Sequence, residues 1–433
     1  MTQELETRIA QIRRGEVPNG YKRTKLGILP TEWQVISFRR MFAPLSRRNT
    51  TGNTNVLTIS AQHGLIRQTA IFKEHIASQN TDNYFLLKRG DFAYNKSYSN
   101  GYPFGVIKPL KLYDSGIVSP LYICCSPTDE NQSPEYYAQY FDAGLMNREI
   151  HAFAQEGARN HGLLNISVYD FFDSSLPFPP LAEQREIAEI LSAQDNVIAL
   201  KERLLTEKQR QKQYLMQQLL TGKQRLPGFV TPWKTAVIGE LGTFYGGLSG
   251  KNKDDFGTGD SFFIPFKNVL ENVVIDGGQL SRVRLDKDEK QNSVKQYDLF
   301  FNLSSETVTE VGMCAVLMEN LRDTYLNSFC VGFRLRESFV SPLWLSYYFN
   351  SPAGRKVMLT LEQGVTRINL NRAAFTKTAV PIPPIDEQRA IADILSAADR
   401  EIDLLRRDLE QEQRRKKALS QLLLTGIVRT GNF

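Results

Sequence analysis

Short polar segments that combine arginine, lysine or asparagine with glycine and aromatic residues recur in both halves of the chain. Arginine, lysine, asparagine and glutamine can make paired hydrogen bonds to the edges of nucleic-acid bases. Loops on a rigid scaffold commonly carry such contacts. An ordinary solvated surface is the alternative interpretation of any single segment, so the prediction depends on their recurrence. The candidate contact residues are Arg47, Arg48, Lys96, Tyr98, Arg159, Asn160 and His161 in the first half, and Lys251, Lys253, Lys267, Asn268, Thr366, Arg367 and Asn369 in the second.

Two types of contact are expected from these side chains. Arg367 is predicted to contact a base or a groove, because it follows Gly364 and Thr366 in a short polar loop. Lys96 and Lys267 are predicted to contact phosphates, since a flexible ammonium group acts as a point charge.

Patterns typical of catalysis are weak by comparison. Gly246–Lys251 (GGLSGK) lacks the spacing and the final hydroxyl residue of a phosphate-binding loop. Neither an Asn-Pro-Pro-aromatic motif for amino-methyl transfer nor an HExxH pair is found in the sequence. Asp286–Lys290 (DKDEK) is more typical of a solvated charged turn than of a nuclease metal site. The sequence therefore predicts a non-catalytic protein that carries no cofactor or metal of its own.

Composition places the chain among globular proteins. Of 433 residues, 41% are hydrophobic and 23% are charged, and the net charge is +6. This mild basicity permits nucleic-acid binding without requiring it. The four cysteines form no CxxC pair, and the first residues are too charged for a signal peptide. We therefore expect free thiols and a cytoplasmic location.

An internal repeat dominates the sequence. Pro177–Gly222 aligns with Pro381–Gly426 without gaps, and 26 of the 46 positions are identical. The preceding regions match only at sparse landmarks, among them Trp33 with Trp233. Because the blocks are alike and the regions before them have diverged, we expect the blocks to meet the same kind of partner twice and the variable regions to meet two different ligands.

Each block is predicted to be one long helix. Acidic residues follow the opening prolines, as is typical of a helix N-terminus, and each block ends in Thr-Gly, at Gly222 and Gly426. Apolar residues repeat every seven positions, which predicts a coiled coil, with Lys212 and Lys416 interrupting one seam at equivalent places. Two unrelated amphipathic helices, each packed on its own domain, are the alternative. The predicted interface residues are Ile187, Leu191, Ile198, Leu205, Leu219, Ile391, Leu395, Ile402, Leu409 and Leu423.

The variable regions are predicted to be mixed α/β domains. Helices are expected at Pro134–Phe141 and Pro342–Phe349. Short strands are expected at Asn55–Ile59, Gly105–Ile107, Tyr122–Cys124, Phe262–Pro265 and Ala315–Met318. The predicted segments are a helical segment at 1–20, a first domain at 21–176, a helical spacer at 177–226, a second domain at 227–380 and a second spacer at 381–433.

The arrangement resembles the specificity subunits of type I restriction–modification enzymes. The resemblance lies in the PxPPLxEQxxIAxIL pattern at Pro177–Leu191 and Pro381–Leu395, the LLTGK pattern at Leu219–Lys223, and the Arg225–Phe229 segment that leads to Trp233. The second block departs from it in two ways, with Ile385-Asp386 in place of Leu-Ala and with Ile427 in place of the lysine.

The resemblance implies two α/β target-recognition domains joined by two long antiparallel helices, in a pseudo-twofold repeat. Each domain would read one half of a divided double-stranded DNA target. The helices would recruit two methyltransferase subunits, and motor–nuclease subunits would join for restriction. S-adenosylmethionine, ATP and Mg would belong to those partners. The alternative function is a two-headed DNA-bridging or scaffold protein that works without methyltransferase partners.

Overall fold

The computed structural model describes residues 3–70, 80–98, 101–128, 132–156, 164–286, 288–364 and 367–432. The chain divides into two compact units, of which the first comprises Met1–Leu200 with Leu409–Phe433 and the second comprises Lys201–Asp408. Both unit boundaries fall within the two long helices. The predicted segments treat these helices as separate spacers, so the compact units divide the chain differently.

The first unit contains short strands and helices before its long helix. Its helices are α1 (Gln3–Arg13), α2 (Phe38–Met41), α3 (Pro134–Asp142), α4 (Asn147–Phe153), α5 (Val168–Asp173) and the first part of α6 (Leu181–Leu219). Its strands are β1 (Tyr21–Thr24), β2 (Gly27–Pro30), β3 (Gln34–Ser37), β4 (Phe42–Pro44), β5 (Leu57–Ser60), β6 (Gly64–Arg67), β7 (Phe85–Lys88), β8 (Phe92–Asn95), β9 (Val106–Pro109), β10 (Ser115–Val118), β11 (Ile123–Pro127), β12 (Gln155–Glu156), β13 (Leu164–Asn165) and β14 (Ser175–Phe178).

An antiparallel sheet with the strand order β4–β11–β8–β9 is central to the first unit. Successive side chains on a strand point to opposite faces of a sheet. Accordingly, Phe92 and Cys125 lie in the core that includes α3 and the start of α6, whereas Ala93 and Cys124 lie in a smaller core on the other face. This alternation explains why the adjacent cysteines are both buried and unpaired.

The second unit repeats this architecture with different side chains. Its helices are the last part of α6, α7 (Ile238–Leu241), α8 (Phe266–Glu271), α9 (Pro342–Asn350), α10 (Pro352–Leu359), α11 (Arg372–Thr376) and the first part of α12 (Ile385–Leu424), whose last part belongs to the first unit. Its strands are β15 (Lys234–Val237), β16 (Gly242–Gly246), β17 (Phe256–Ile264), β18 (Ser281–Val283), β19 (Leu299–Asn302), β20 (Ser304–Ser305), β21 (Cys314–Val316), β22 (Thr324–Leu326), β23 (Cys330–Leu335), β24 (Glu362–Gln363), β25 (Ile368–Leu370) and β26 (Ala379–Ile382).

The central sheet of the second unit has the order β16–β23–β19–β21, again antiparallel. Leu299 and Phe301 face the core against α9 and the start of α12, while Phe300 faces a second core with Ile264 and Leu326. The predicted helices at 134–141 and 342–349 are confirmed as α3 and α9, each capped by the serine that precedes its proline. The predicted strand runs are confirmed within a few residues as β5, β9, β11, β17 and β21.

The two long helices end as the sequence predicts. α6 and α12 are followed by Gly222 and Gly426, each with φ of +69°. This left-handed backbone favours glycine and terminates a helix. Among the described residues, none of the helices combines the length and the hydrophobicity that a membrane-spanning segment requires.

The long helices pair in an antiparallel coiled coil, as the ion pairs within each unit demonstrate. In the second unit, Lys201 lies 2.7 Å from Asp408, and Lys208 lies 2.6 Å from Glu401. Because numbers rise along α6 as they fall along α12, the helices run in opposite directions. In the first unit, the amide of Gln194 donates to Glu412 at 2.7 Å in the same sense.

The predicted seam residues occupy two kinds of environment. Ile187, Leu191 and Leu423 lie in the main core of the first unit, and Leu219, Ile391 and Leu395 lie in the main core of the second. Nearer the middle of the helices, Ile402 is buried, while Ile198, Leu205 and Leu409 are partly buried. The two ends of each long helix therefore belong to the cores of different units, and the helix centres pack on each other. The predicted coiled coil is confirmed, and the alternative of unrelated helices, each packed on its own domain, is wrong.

Repeated buried contacts attach each helix start to its own unit. In the first unit, Glu183 accepts hydrogen bonds from Trp33 Nε1 at 2.8 Å and from Arg429 Nη2 at 2.9 Å. Gln184 Oε1 accepts from the Ser133 backbone N–H at 2.8 Å. These contacts bring the chain that leaves α12 back to the start of α6.

The second unit makes the same contacts with the equivalent residues. Glu387 accepts from Trp233 Nε1 at 3.0 Å and from Arg225 Nη2 at 2.7 Å. Gln388 Oε1 accepts from the Ser341 N–H at 2.7 Å. The Glu-Gln pair of the repeat is therefore explained by contacts within the chain and does not require an external partner.

Candidate nucleic-acid interface

The clearest candidate surface lies in the second unit, where β19 ends. The side chain of Asn302 is fully buried; it accepts from the Ser304 N–H at 3.1 Å and donates to the Glu310 carbonyl at 2.8 Å. This turn directs the chain into β20, which pairs with β25 and places Ser304 opposite Asn369. In the first unit, Asn95 makes the equivalent contact with the Ser97 N–H. An asparagine side chain thus shapes the same turn in both units, fully buried in the second and partly buried in the first.

Arg367 extends from the edge of this small sheet. Its Nε donates to the Ser304 hydroxyl at 2.9 Å, and its guanidinium carbon lies 5.5 Å from the centre of the Phe329 ring. Asn369, which is also exposed, donates to the Arg367 carbonyl at 3.2 Å. The guanidinium is therefore fixed at one nitrogen and along one face, which leaves its two terminal nitrogens at the surface.

Phe329 is a large apolar side chain held at the surface by its backbone. It is 49% exposed. Its N–H donates to the side chain of Asn327 at 2.9 Å, and its carbonyl accepts from the Leu303 N–H at 3.0 Å. The buried Asn327 in turn donates to the Ile264 carbonyl at 3.1 Å. The ring is presented by a rigid turn and not by a loose loop.

Two further side chains complete this surface. The Phe266 ring meets Phe329 edge-on at 6.5 Å, and the adjacent Lys267 is 75% exposed with an ion pair to Glu271 at 3.6 Å. We call Phe266, Lys267, Ser304, Phe329, Arg367 and Asn369 the Arg367–Phe329 cluster. It combines cationic donors, an amide and an exposed aromatic ring, which suits contact with phosphates and base edges.

Asn268 does not belong to this surface, although the sequence predicted a contact role. It is 1% exposed. Its side chain donates to the Asp276 carbonyl at 2.9 Å and accepts from the Asp276 N–H at 3.0 Å. Both the donor and the acceptor of the Asn268 amide are engaged in the loop after α8, so Asn268 is not a candidate for DNA contact.

Lys251 is also engaged within the protein. Its side chain is 8% exposed and is paired with Glu289, whose second oxygen accepts from Gln291 at 2.6 Å. The hydrogen bond from Lys251 is the main reason that the pKa of Glu289 lies below its ordinary value. Lys251 therefore closes a loop and is a poor candidate for DNA contact, whereas Lys253 is exposed and stays a candidate.

Arg47 and Arg48 are neighbours with different surroundings. The guanidinium of Arg47 is paired with the buried carboxylate of Asp91, which also accepts from the Lys88 N–H and the Ser126 hydroxyl, both at 2.6 Å. In the second unit the equivalent Asp298 is held by Arg334 and Tyr245. A buried carboxylate at this position thus has charged or hydroxyl partners in both units, which gives Arg47 a structural role.

Arg48 is exposed, like Arg47, but it lies over an aromatic ring. Its guanidinium carbon is 4.0 Å from the centre of the Phe85 ring, and its Nη1 donates to the Asn83 carbonyl at 2.7 Å. This is the same pairing of guanidinium and ring as in the Arg367–Phe329 cluster, although it is built from different strands. Arg48 is therefore the best placed candidate of the first unit.

Lys96 and Tyr98 follow β8 in the first unit. The Lys96 carbonyl accepts from the Leu164 N–H at 3.1 Å, which joins this segment to β13. Tyr98 is 60% exposed and Lys96 is partly buried. These positions correspond to the β20–β25 edge that carries Arg367. The other predicted contact residues, Arg159, Asn160, His161 and Thr366, lie outside the described residues.

Two aromatic residues, Phe329 and Phe85, are not among the contact residues predicted from the sequence. In the sequence, Phe329 is distinguished by being a large aromatic residue that directly follows two polar residues, Asn327 and Ser328. Nothing comparable distinguishes Phe85, which begins an ordinary strand. Among the described residues, no group of three or more histidine, cysteine, aspartate or glutamate side chains is arranged to hold a metal ion.

Comparison with protein-family models gives a match over most of the chain. The model described as "Type I restriction modification DNA specificity domain" matches twice, at residues 34–208 and 232–412. The two copies coincide with the two repeats of the structure, each including part of a long helix.

Individual relatives are distant but extend over much of the chain. A putative type I restriction enzyme MjaX specificity subunit of Methanocaldococcus jannaschii is 22% identical over 94% of this chain and 96% of its own length. The MjaVIII specificity subunit of the same organism is 24% identical over 65% of this chain and 68% of its own.

Solved structures share the fold. A chain from a study of complex assembly and conformational transition of the type I R-M system is similar over 92% of this chain, with a TM-score of 0.57 and 19% identity. The type I restriction-modification S subunit from M. genitalium is similar over 94%, with a TM-score of 0.53 and 13% identity.

Proposed function

Because the chain belongs to the type I restriction modification DNA specificity domain family, we propose that its two domains each read one half of a divided DNA target. The chain is a DNA-recognition subunit with two target-recognition domains, and its relatives are the non-catalytic subunits of their enzymes. The observation that carries the proposal is the occurrence of two family domains, at 34–208 and 232–412, on two structural repeats with different surface residues.

The surface chemistry supports one DNA-contacting face in each domain. Arg48 over Phe85 and Arg367 over Phe329 are exposed guanidinium groups held by rings and backbone carbonyls or hydroxyls. Arginine held in this way loses little conformational freedom when it contacts a base or phosphate. Since the two domains use different neighbouring residues, they are suited to reading different sequences.

We further propose that the long helices recruit methyltransferase subunits. Many identical residues of the two blocks are used internally, as the Glu183 and Glu387 contacts demonstrate. Others are identical and yet exposed, notably Leu200 and Leu404, which are 63% and 65% exposed. An exposed leucine retained at the same place in both blocks supports a repeated protein contact.

The same proposal assigns the chemistry to partner subunits. S-adenosylmethionine would be bound by the methyltransferase subunits, and ATP and Mg by motor–nuclease subunits that join for restriction. A cytoplasmic location agrees with the buried, unpaired state of all four cysteines. Incubation of the purified chain with labelled S-adenosylmethionine and DNA is expected to give no methylated product.

Methylation mapping in cells with and without the chain tests the proposed function. Loss of methylation at one divided sequence on deletion, and its return on complementation, is the expected result. An unchanged methylation pattern would contradict the proposal. Purification of the tagged chain separates the alternatives: co-purifying methyltransferase subunits support recruitment, whereas a chain that binds DNA without them supports the DNA-bridging function. Leu200→Asp with Leu404→Asp is expected to abolish co-purification, while the exposed Val230→Asp serves as the control.

A further inference from the structure

Three of the four segments that form the Arg367–Phe329 cluster meet at Arg367. The turn after β22 supplies Phe329, β20 supplies Ser304, and Arg367 lies directly before β25. Each is fixed by a hydrogen bond, from Asn327 to the Ile264 carbonyl, from Leu303 to the Phe329 carbonyl, and from Arg367 to Ser304. A binding site requires contact groups that are held in place by packing and hydrogen bonds in this way.

The exposure of Phe329 lacks a structural explanation within the unit. Among the described residues, its ring meets one other aromatic ring, that of Phe266, in a T-shaped contact, and about half of its surface is open. The Arg367 guanidinium lies along it, and two terminal nitrogens of that group have no acceptor among the described residues. An apolar ring and a free guanidinium edge, side by side, match the methyl group and the two acceptors that adjacent base pairs present in the major groove.

We infer that Arg367 and Phe329 are specificity-determining residues of the second domain, which read a guanine and a neighbouring thymine. This inference rests on the proposed function. The two terminal nitrogens of Arg367 donate to O6 and N7 of the guanine, the commonest specific contact of arginine. The Phe329 ring covers the C5-methyl group of the thymine. The guanidinium carbon of Arg367 lies 5.5 Å from the centre of the Phe329 ring. This distance is comparable with the rise of about 3.4 Å per base pair, so the two side chains reach adjacent base pairs.

Lys267 has a different part in this inference. It is exposed, flexible and next to Phe266, so it contacts a phosphate and not a base. Substitution of Lys267 by alanine is expected to weaken binding to all sequences alike and to reduce the salt slope by about one unit. Substitution of Arg367 or Phe329 is expected to change preference at one position each.

Selection of bound duplexes from a random pool by the purified full chain provides the test. The wild-type chain is expected to select two specified blocks with an unspecified gap. Arg367→Ala and Phe329→Ala are expected to relax one position each, at adjacent places in one block, while the other block is unchanged. The loss of affinity for the preferred duplex is expected to be roughly 5- to 150-fold for Arg367→Ala. Phe339→Ala is the matched control, because Phe339 is 47% exposed in the same unit.

Base analogues in the selected duplex identify the contacted atoms. Replacement of the guanine by 7-deazaguanine is expected to weaken the wild-type chain but not Arg367→Ala, and replacement of thymine by uracil is expected to weaken the wild-type chain but not Phe329→Ala. Phe329→Leu, which preserves an apolar side chain, is expected to keep part of the thymine preference. This variant distinguishes the loss of a base contact from a folding defect in Phe329→Ala.

Three results would overturn the inference. Relaxation of both blocks, an unchanged preference in both variants, or analogue effects equal in variant and wild type would each exclude the assignment while leaving the proposed function intact. A wild-type chain that selects no sequence would reject the proposed function and this inference together.

Discussion

Asp195 of α6 lies 2.5 Å from Lys416 of α12, and its second oxygen accepts from Gln139 of α3 at 2.7 Å. The equivalent Asp399 of α12 pairs with Lys212 of α6 and accepts from the Tyr347 hydroxyl of α9 at 2.7 Å. One aspartate in each unit therefore joins both long helices to a helix of the recognition domain. The lysines that interrupt the apolar seam are thus the partners of a carboxylate that only the folded chain brings near.

Removal of Asp399 is expected to destabilise the second unit. Asp399→Ala leaves the partly buried Lys212 and the hydroxyl of Tyr347 without their acceptor, which is expected to cost about 1 to 3 kcal/mol. Denaturation by urea provides the measurement. Asp403→Ala is the control, because Asp403 is one turn away, exposed, and paired with Arg406 on its own helix. Equal effects of the two substitutions would contradict the joining role.

Acid is expected to weaken the loop that Lys251 closes. Its hydrogen bond holds the pKa of Glu289 below the ordinary value of 4.5. A carboxyl with a lowered pKa in the folded state adds stability above its ordinary pKa, and that stability is lost as pH falls through the folded value. Glu289→Gln should therefore lower the free energy of unfolding at neutral pH, with the difference from wild type shrinking below about pH 4. Asp288→Asn, which changes a neighbouring exposed acid, is expected to preserve the wild-type pH profile.

Substitutions of the neighbours Arg47 and Arg48 are expected to affect different properties, namely stability for Arg47 and DNA affinity for Arg48. Arg47→Ala removes a partner of the buried Asp91 and should lower stability by about 1 kcal/mol. Arg48→Ala should keep the unfolding midpoint and cost about 1 to 3 kcal/mol in DNA affinity. Thermal unfolding and DNA titration of both variants provide the comparison. A loss of affinity in Arg47→Ala alone, with its stability intact, would reverse the assignment.

Exchange of residues 33–173 for the equivalent region of a relative is expected to change one half of the target. The exchanged region includes the first-domain sheet and its candidate residues but leaves the long helices unchanged. Methylation mapping of the hybrid should find one half-site replaced and the other kept. Changes in both halves would mean that the two domains are not independent readers.

Removal of one heptad from each long helix is expected to alter the gap between the half-sites. Residues 201–207 and 402–408 are the matched deletion, because Lys201 pairs with Asp408 in the antiparallel coiled coil. Seven residues correspond to about 10 Å of helix, so the gap should shrink by up to about three base pairs, or activity should fail. Full activity on the original spacing would show that helix length does not set the gap.

Features with a short sequence period could be predicted from the sequence because they depend on neighbouring residues. The seven-residue repeat around Leu191 and Leu395 predicted the long helices, and Gly222 and Gly426 predicted their ends. The helices predicted at 134–141 and 342–349 are α3 and α9, and the structure shows that a serine directly before each proline caps them. The duplication itself predicted two similar units, because a sequence pattern that occurs twice is expected to fold in the same way each time.

The candidate recognition surface depends on contacts between residues far apart in the sequence. Residue type alone made Asn268 and Lys251 attractive candidates, yet burial and internal partners remove both. Arg47 and Arg48 have the same side chain, and only the position of Asp91 and Phe85 distinguishes them. Phe329 becomes a candidate because the sheet places Arg367 beside it. Local periodicity determines where a helix or strand forms, but which polar groups stay free for a ligand is decided by long-range packing.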